Sequence, residues 1–183
     1  MKIREPFLVK QDKVFEDSRG HFFEAYKNSD FLKKYNFEEI FVQENHSVSH
    51  KNVVRGLHYQ WSPPMGKLVR VVKGEILDVI VDIRKHSENF GKSYSFILSE
   101  QNKHQLYVPP GFAHGFVSKT EESIVLYKCT AEYNSFGESG INPLDRELNI
   151  DWGTNKDKMI ISAKDLSSKT LEEYKNDKST PDW

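Results

Sequence analysis

A single cysteine, Cys129, stands in 183 residues. No disulfide can form within the chain, and nothing in it calls for an oxidising compartment. Long apolar runs are also missing. No stretch approaches the roughly 18 residues that a membrane-spanning helix needs. The segment Met1 to Pro6 has no apolar run and no cleavage signal, so the expected location is the cytoplasm. Excess charge of either sign is absent: 26 Lys and Arg against 27 Asp and Glu leave a net −1. That balance argues against nucleic-acid binding through bulk positive charge, and any anion must be met by a local cluster. Internal repeats, low-complexity tracts and Pro/Ser-rich linkers do not occur. With 37% hydrophobic residues and a length suited to one buried core, the chain is expected to form one domain over 1–183.

What is present is aromatic and β-branched. Twelve Phe and eight Tyr accompany short apolar runs at 67–72, 76–83, 94–98, 105–108, 112–117 and 123–130. Pro63-Pro64-Met65-Gly66, Lys73-Gly74-Glu75 and Pro109-Pro110-Gly111 separate several of them. Short strands with such punctuation predict a β-sandwich or barrel. Lys73-Gly74, between two apolar runs, suggests a tight hairpin. Helix signals are few. Ser29 is a candidate cap for a short helix through Lys34, and a second candidate runs from Ser168 to about Asn176. The tail after Asp177 is expected to be loose, although Trp183 is an odd residue to leave in water.

Two segments offer chemistry. In Arg55-Gly56-Leu57-His58-Tyr59-Gln60, strand alternation puts Arg55, Leu57 and Tyr59 on one face and Gly56, His58 and Gln60 on the other. His58 then lies beside a residue with no side chain to block approach. An imidazole's ordinary pKa suits proton transfer near neutrality, and a hydrogen-bonded core histidine is the alternative. In Pro109-Pro110-Gly111-Phe112-Ala113-His114, a stiff turn precedes a histidine. This Pro-x-Gly-x-x-His pattern resembles the second motif of the cupin superfamily, whose fold is a double-stranded β-helix, or jelly roll. Many cupins hold a metal through a His-x-His pair, a Glu and a later His. Here His58-Tyr59-Gln60 lacks the second His and no Glu follows at the expected distance, so no metal is expected.

Further runs make the resemblance specific. Arg55–Gln60, Pro64–Val71, Gly74–Arg84, Gln105–Phe116 and Tyr127-Lys128-Cys129-Thr130 with Tyr133 together resemble the dTDP-4-dehydrorhamnose 3,5-epimerase family. The likeness extends from Asp17-Ser18-Arg19-Gly20 to Ser162-Ala163-Lys164-Asp165. It implies a mainly β, cupin-like jelly roll with a few short peripheral helices. It also implies cofactor-independent epimerisation at C3 and C5 of dTDP-4-dehydro-6-deoxy-D-glucose. Both hydrogens are alpha to the C4 ketone, so loss of either gives a resonance-stabilised enolate.

By the resemblance, His58 is the base, Asp165 the carboxylate that orients it, Lys67 the cation at the C4 oxygen and Tyr127 the acid on the opposite face. Arg19, Gln43, Asn45, Arg55, His114 and Lys164 are implied polar or cationic contacts to a nucleoside diphosphate. Glu24 and Glu138 are implied acceptors, and Tyr133 a ring that stacks on the base. Guanidinium suits phosphate because its fork of donors meets two oxygens at once. A homodimer is implied, with N-terminal strands within 1–50 exchanged between copies and a C-terminal helix and tail over 163–183. No redox cofactor is implied, and the partner is the dTDP-sugar. Three other functions compete: a C3-only epimerase or one acting on a related 4-keto sugar, a non-catalytic sugar-nucleotide-binding jelly roll, and a metal-dependent cupin. The segment Gly140–Asp145 departs from the family's Trp-Asn-Asp pattern.

Overall fold

The computed structural model describes residues 5–183; the leader reading of Met1 to Arg4 lies outside the described residues. Thirteen strands and three α-helices follow one another among these residues. The strands are β1 (Phe7–Val9), β2 (Phe15–Asp17), β3 (Gly20–Phe22), β4 (Gln43–His50), β5 (Val53–Gln60), β6 (Lys67–Lys73) and β7 (Glu75–Asp82). Then come β8 (Ser93–Ser99), β9 (Gln105–Val108), β10 (Phe112–Ser118), β11 (Glu122–Cys129), β12 (Glu138–Gly140) and β13 (Ile160–Ile161). Helix α1 spans Asn28–Tyr35, α2 Ala163–Leu166 and α3 Leu171–Asn176.

Two sheets carry the architecture, in strand orders β1-β9-β6-β11-β4 and β12-β5-β10-β7-β8. Among the described residues, every pairing between these strands is antiparallel except that of β13, which runs parallel to β5. Apolar side chains of both sheets meet between them, among them Val69, Ile80, Leu98, Leu106, Phe116 and Val125, all buried. This is the jelly roll. The outer faces are covered as well. Trp152, Leu171 and Tyr174 close over Leu57, Tyr59 and Val81 of the second sheet. An aromatic group that includes Phe31, Phe37 and Tyr107 closes over the first. Burial on both faces explains why these strands read as continuous apolar runs rather than as clean alternation.

The hairpin expected at Lys73-Gly74 does not form. β6 pairs with β9 and β11, whereas β7 pairs with β8 and β10, so the turn carries the chain from one sheet to the other. Gly74 has φ +77° and its N–H donates to Glu100 Oε1 at 3.0 Å. A tight turn between apolar runs looks the same in sequence whether its strands pair or part; here each strand finds two other partners.

Helix α1 begins two residues earlier than its Ser29 signal suggests, with Lys27 at the N-cap and no side-chain cap bond. The candidate helix expected from Ser168 is α3, which starts at Leu171, where Thr170 and Glu173 form a reciprocal capping box. Trp183 is not left in water: its Nε1 donates to Tyr174 OH at 3.2 Å and its ring packs on the core.

One departure from strand alternation shapes the site. β5 and β10 pair His58 with His114 but Arg55 with Phe116, so one extra residue of β5 is accommodated between these pairs. Arg55 and His58 therefore face the same side, contrary to simple alternation, while Leu57 and Tyr59 join the core cluster on the other. Gly56 permits this with φ +118°, and a Cβ there would lie 2.5 Å from Gly115 Cα. Gly56→Ala is expected to destabilise the protein by about 2–4 kcal/mol, from a positive-φ penalty added to overpacking. An unchanged melting temperature would show that the bulge does not need glycine.

Candidate active site

A cavity of about 500 Å³ opens between the sheets. Arg55 and His58 of β5, Lys67 of β6, His114 of β10, Tyr127 of β11, and Lys164 and Asp165 of α2 line it. A larger hollow, about 730 Å³, lies elsewhere, between residues 9–15 and α1, and contains none of these groups.

His58 and Asp165 are 107 positions apart in sequence, yet Nε2 lies 2.8 Å from Oδ1. Helix α2 makes that contact possible. Ser162 caps the helix, its Oγ accepting from the Asp165 N–H at 3.0 Å, and β13 ties the preceding segment to β5. The second carboxylate oxygen accepts from the Gly56 N–H at 3.4 Å. Burial pushes the Asp165 carboxyl up, but bonds from His58, Gly56 and Ser162 outweigh it and hold the group below its ordinary value. Asp165 is thus an anion suited to orient an imidazole and stabilise its cation. His58 Nδ1 has no protein hydrogen-bond partner among the described residues and is left for a ligand.

Lys67 extends from the other sheet. Its Nζ donates to the His58 carbonyl oxygen at 3.3 Å. Burial lowers the ammonium's pKa below that of an ordinary lysine, against opposing pulls from Cys129, Glu138 and Asp78. Tyr127, on the neighbouring strand, has its hydroxyl pushed up mainly by burial, so the phenol keeps its proton at neutral pH. Asn45, its register partner on β4, acts in the opposite sense, and its amide donates to Cys129 Sγ at 3.7 Å. Imidazole and phenol therefore belong to opposite walls of one cavity, with an ammonium reaching between them.

Three cations, Arg55, Lys67 and Lys164, share this cavity with one carboxylate, Asp165. A nearly neutral chain can meet an anion in this way. At the rim, Glu138 on β12 pairs with Lys164 and accepts from Tyr133 OH at 3.2 Å. Gln43 Oε1 accepts from the Tyr133 backbone N–H at 2.8 Å, and its amide donates to Asn45 Oδ1 at 2.9 Å. Arg19 and Glu24 lie elsewhere. Arg19 sits at the tip of the β2–β3 hairpin, 88% exposed and paired with Asp17, and Glu24 lines the larger hollow.

Sequence reasoning missed Asp78. It is fully buried on β7 and lies 2.9 and 3.1 Å from His114 Nε2. An acid flanked by Ile76-Leu77 and Val79-Ile80-Val81 was its signal. Ser162 was also missed; its signal was a Ser three residues before Asp165. No group of three or more His, Cys, Asp or Glu that could hold a metal occurs among the described residues.

The sequence profile described as dTDP-4-dehydrorhamnose 3,5-epimerase matches residues 1–173. The chain belongs to the dTDP-4-dehydrorhamnose 3,5-epimerase family. The dTDP-4-dehydrorhamnose 3,5-epimerase of Methanothermobacter thermautotrophicus is 43% identical over 167 residues, which cover 91% of this chain and 90% of that one. Among solved structures, the Legionella pneumophila dTDP-6-deoxy-D-glucose-3,5-epimerase in complex with dTDP-4-keto-L-rhamnose superposes with a TM-score of 0.88 at 40% identity, covering 94% of this chain and 90% of that one. ChmJ, a 3'-monoepimerase from Streptomyces bikiniensis in complex with dTDP-quinovose, reaches a TM-score of 0.86 at 27% identity, covering 95% and 87%. Family membership makes the protein an isomerase-class enzyme. Among the described residues no helix is long and apolar enough to cross a membrane.

Proposed function

We propose that the protein epimerises C3 and C5 of dTDP-4-dehydro-6-deoxy-D-glucose, giving dTDP-4-dehydro-L-rhamnose. The observation that carries this reading is the placement of His58 and Tyr127 on opposite walls of a cavity that Lys67 crosses.

The chemistry follows from that placement. His58, oriented by Asp165, removes the proton at C3 through Nδ1. The C–H electrons move into the C3–C4 bond and onto the C4 oxygen. Lys67 stabilises the resulting enolate where the charge develops, which is where a fixed donor lowers the barrier most. Tyr127 delivers its proton to the opposite face of C3, and the phenolate regains a proton from solvent as His58 loses its own. The same cycle at C5 completes the reaction, with no change in oxidation state. Arg55, His114 and Lys164 hold the diphosphate and sugar, Gln43 and Asn45 support them from β4, and Tyr133 stacks on thymine. Glu138 serves as an acceptor at the rim.

Arg19 and Glu24 do not reach this cavity, so they fit the reading through a second copy of the chain. The β2–β3 hairpin projects Phe15 and Phe22 at 63% and 67% exposure, a surface suited to cover by a neighbour. In a homodimer with exchanged N-terminal strands, the partner's hairpin completes the pocket.

Purified protein mixed with the dTDP-linked 4-keto sugar should yield the L-sugar, recognised by the ring couplings in its proton NMR spectrum. Inversion at C3 alone would reassign the protein to the monoepimerase activity named for ChmJ. No conversion would sink the reading. In Tyr127→Phe, a substrate proton should still exchange with solvent while inversion falls by about 10²–10⁴-fold, the usual weight of one general acid. Inversion at the wild-type rate would remove Tyr127 from the acid's role.

A further inference from the structure

We propose that Ser49 is a positioning residue that holds the Arg55 guanidinium at the cavity wall without neutralising it. The gain for substrate binding rests on the epimerase reading above, in which Arg55 holds the diphosphate; the anchoring of Arg55 does not.

Ser49 lies on β4, an edge strand of the first sheet, and Arg55 on β5 of the second. Arg55 Nε donates to Ser49 Oγ at 3.0 Å, and Nη2 donates to the Val48 carbonyl oxygen at 3.1 Å. Two of the five guanidinium N–H groups are thereby taken, and three are left for a ligand. Both acceptors are neutral. Among the described residues Arg55 pairs with no carboxylate, whereas Lys164, a second cation of the cavity, is paired with Glu138. The two bonds therefore fix the direction of the fork and leave its charge for an anion.

Ser49 is itself held in place. It is 2% exposed and lies opposite Ser123 of β11. Its carbonyl oxygen accepts from Ser118 Oγ at 3.4 Å, and that hydroxyl is 2.8 Å from Ser123 Oγ. The bulge in β5 puts Arg55 on the cavity side, within reach of this strand. A long arginine side chain loses rotamer freedom when it clamps an anion. A fixed hydroxyl that orients it beforehand removes part of that cost from the binding step.

The first test reads the bond itself. The Arg55 Nε–H signal in a nitrogen-15 NMR spectrum is assigned by its loss in Arg55→Ala. Its exchange with water should be about five- to tenfold faster in Ser49→Ala, the weight of one hydrogen bond. The second test reads binding. Ser49→Ala should weaken dTDP about three- to tenfold in calorimetry, the scale of one side chain left to be ordered. KM should rise with kcat unchanged, as for loss of a contact made equally before and during reaction. In an Arg55→Ala background, Ser49→Ala should leave dTDP affinity where it was. An equal loss in both backgrounds would make Ser49 a structural member of the Ser118–Ser123 cluster and overturn the proposal, as would an unmoved Nε–H exchange rate. Should Ser49→Ala fail to fold, Ser49→Cys decides: a thiol is a weak acceptor of similar size, so exchange should again quicken, and an unchanged rate overturns the proposal. Coupling of Ser49 to Arg55 in a protein without epimerase activity would sink the functional reading and leave this inference standing.

Discussion

His58→Asn should lower kcat by about 10²–10⁴-fold, the range for loss of a general base, with the fold intact. The choice of asparagine is deliberate. Asp165 is buried and charged, and its Oδ1 accepts from His58. Removing that donor altogether would leave a buried anion short of a partner, at a cost of about 1–3 kcal/mol or more. The Asn amide offers a donor in its place, so loss of rate can be separated from loss of structure. The asparagine has no basic nitrogen to accept a proton, so turnover fails while binding of dTDP, which depends on other groups, persists. A folded His58→Asn protein with wild-type turnover would show that the base lies elsewhere.

Lys67→Met should lower kcat by about 10²–10³-fold, the typical weight of one donor at a developing oxyanion. The same substitution should raise thermal stability. Burial holds the Lys67 ammonium below its ordinary pKa in the folded chain. Between that lowered value and 10.5 the unfolded chain binds more protons, so stability rises with pH across that window. Below the window the cost of the buried charge is fully present; above it the cost is gone. Methionine removes the charge and keeps much of the volume, so its gain in melting temperature should be largest at neutral pH and shrink on the alkaline side. Loss of rate together with gain of stability would mark Lys67 as held for chemistry rather than for the fold. A variant both slower and less stable at neutral pH would argue for a structural lysine.

The sequence made the four central groups legible because each sits in a distinct run: His58 after Arg55-Gly56, Lys67 after Pro64-Met65-Gly66, Tyr127 before Lys128-Cys129, and Asp165 after Lys164. Their convergence was not visible in composition or periodicity. It came through resemblance, and the fold supplies its physical basis: a capped four-residue helix, α2, brings Asp165 across 107 positions to His58. A helix that short leaves almost no periodic signal.

The errors have physical causes too. Alternation placed Arg55 and His58 on opposite faces, because a bulge adds a residue to one strand without announcing itself beyond a glycine. Lys73-Gly74 read as a hairpin because local turn chemistry does not say which sheet the next strand joins. Asp78 escaped because a buried acid looks like a strand-face polar residue until its partner His114 is placed opposite it. Arg19 and Glu24 lie outside the cavity of their own chain, and no pattern within one sequence says whose pocket a hairpin serves.

The most direct measurement is proton NMR of the dTDP-4-keto sugar in D₂O with three proteins: wild type, His58→Asn and Tyr127→Phe. A base on one wall and an acid on the other require deuterium at both C3 and C5 of an inverted sugar with the wild type. They also require slow or absent deuterium entry with His58→Asn, and deuterium entry with little inversion in Tyr127→Phe. Rapid deuterium entry at either carbon with a folded His58→Asn protein would contradict the assignment of His58 as the base.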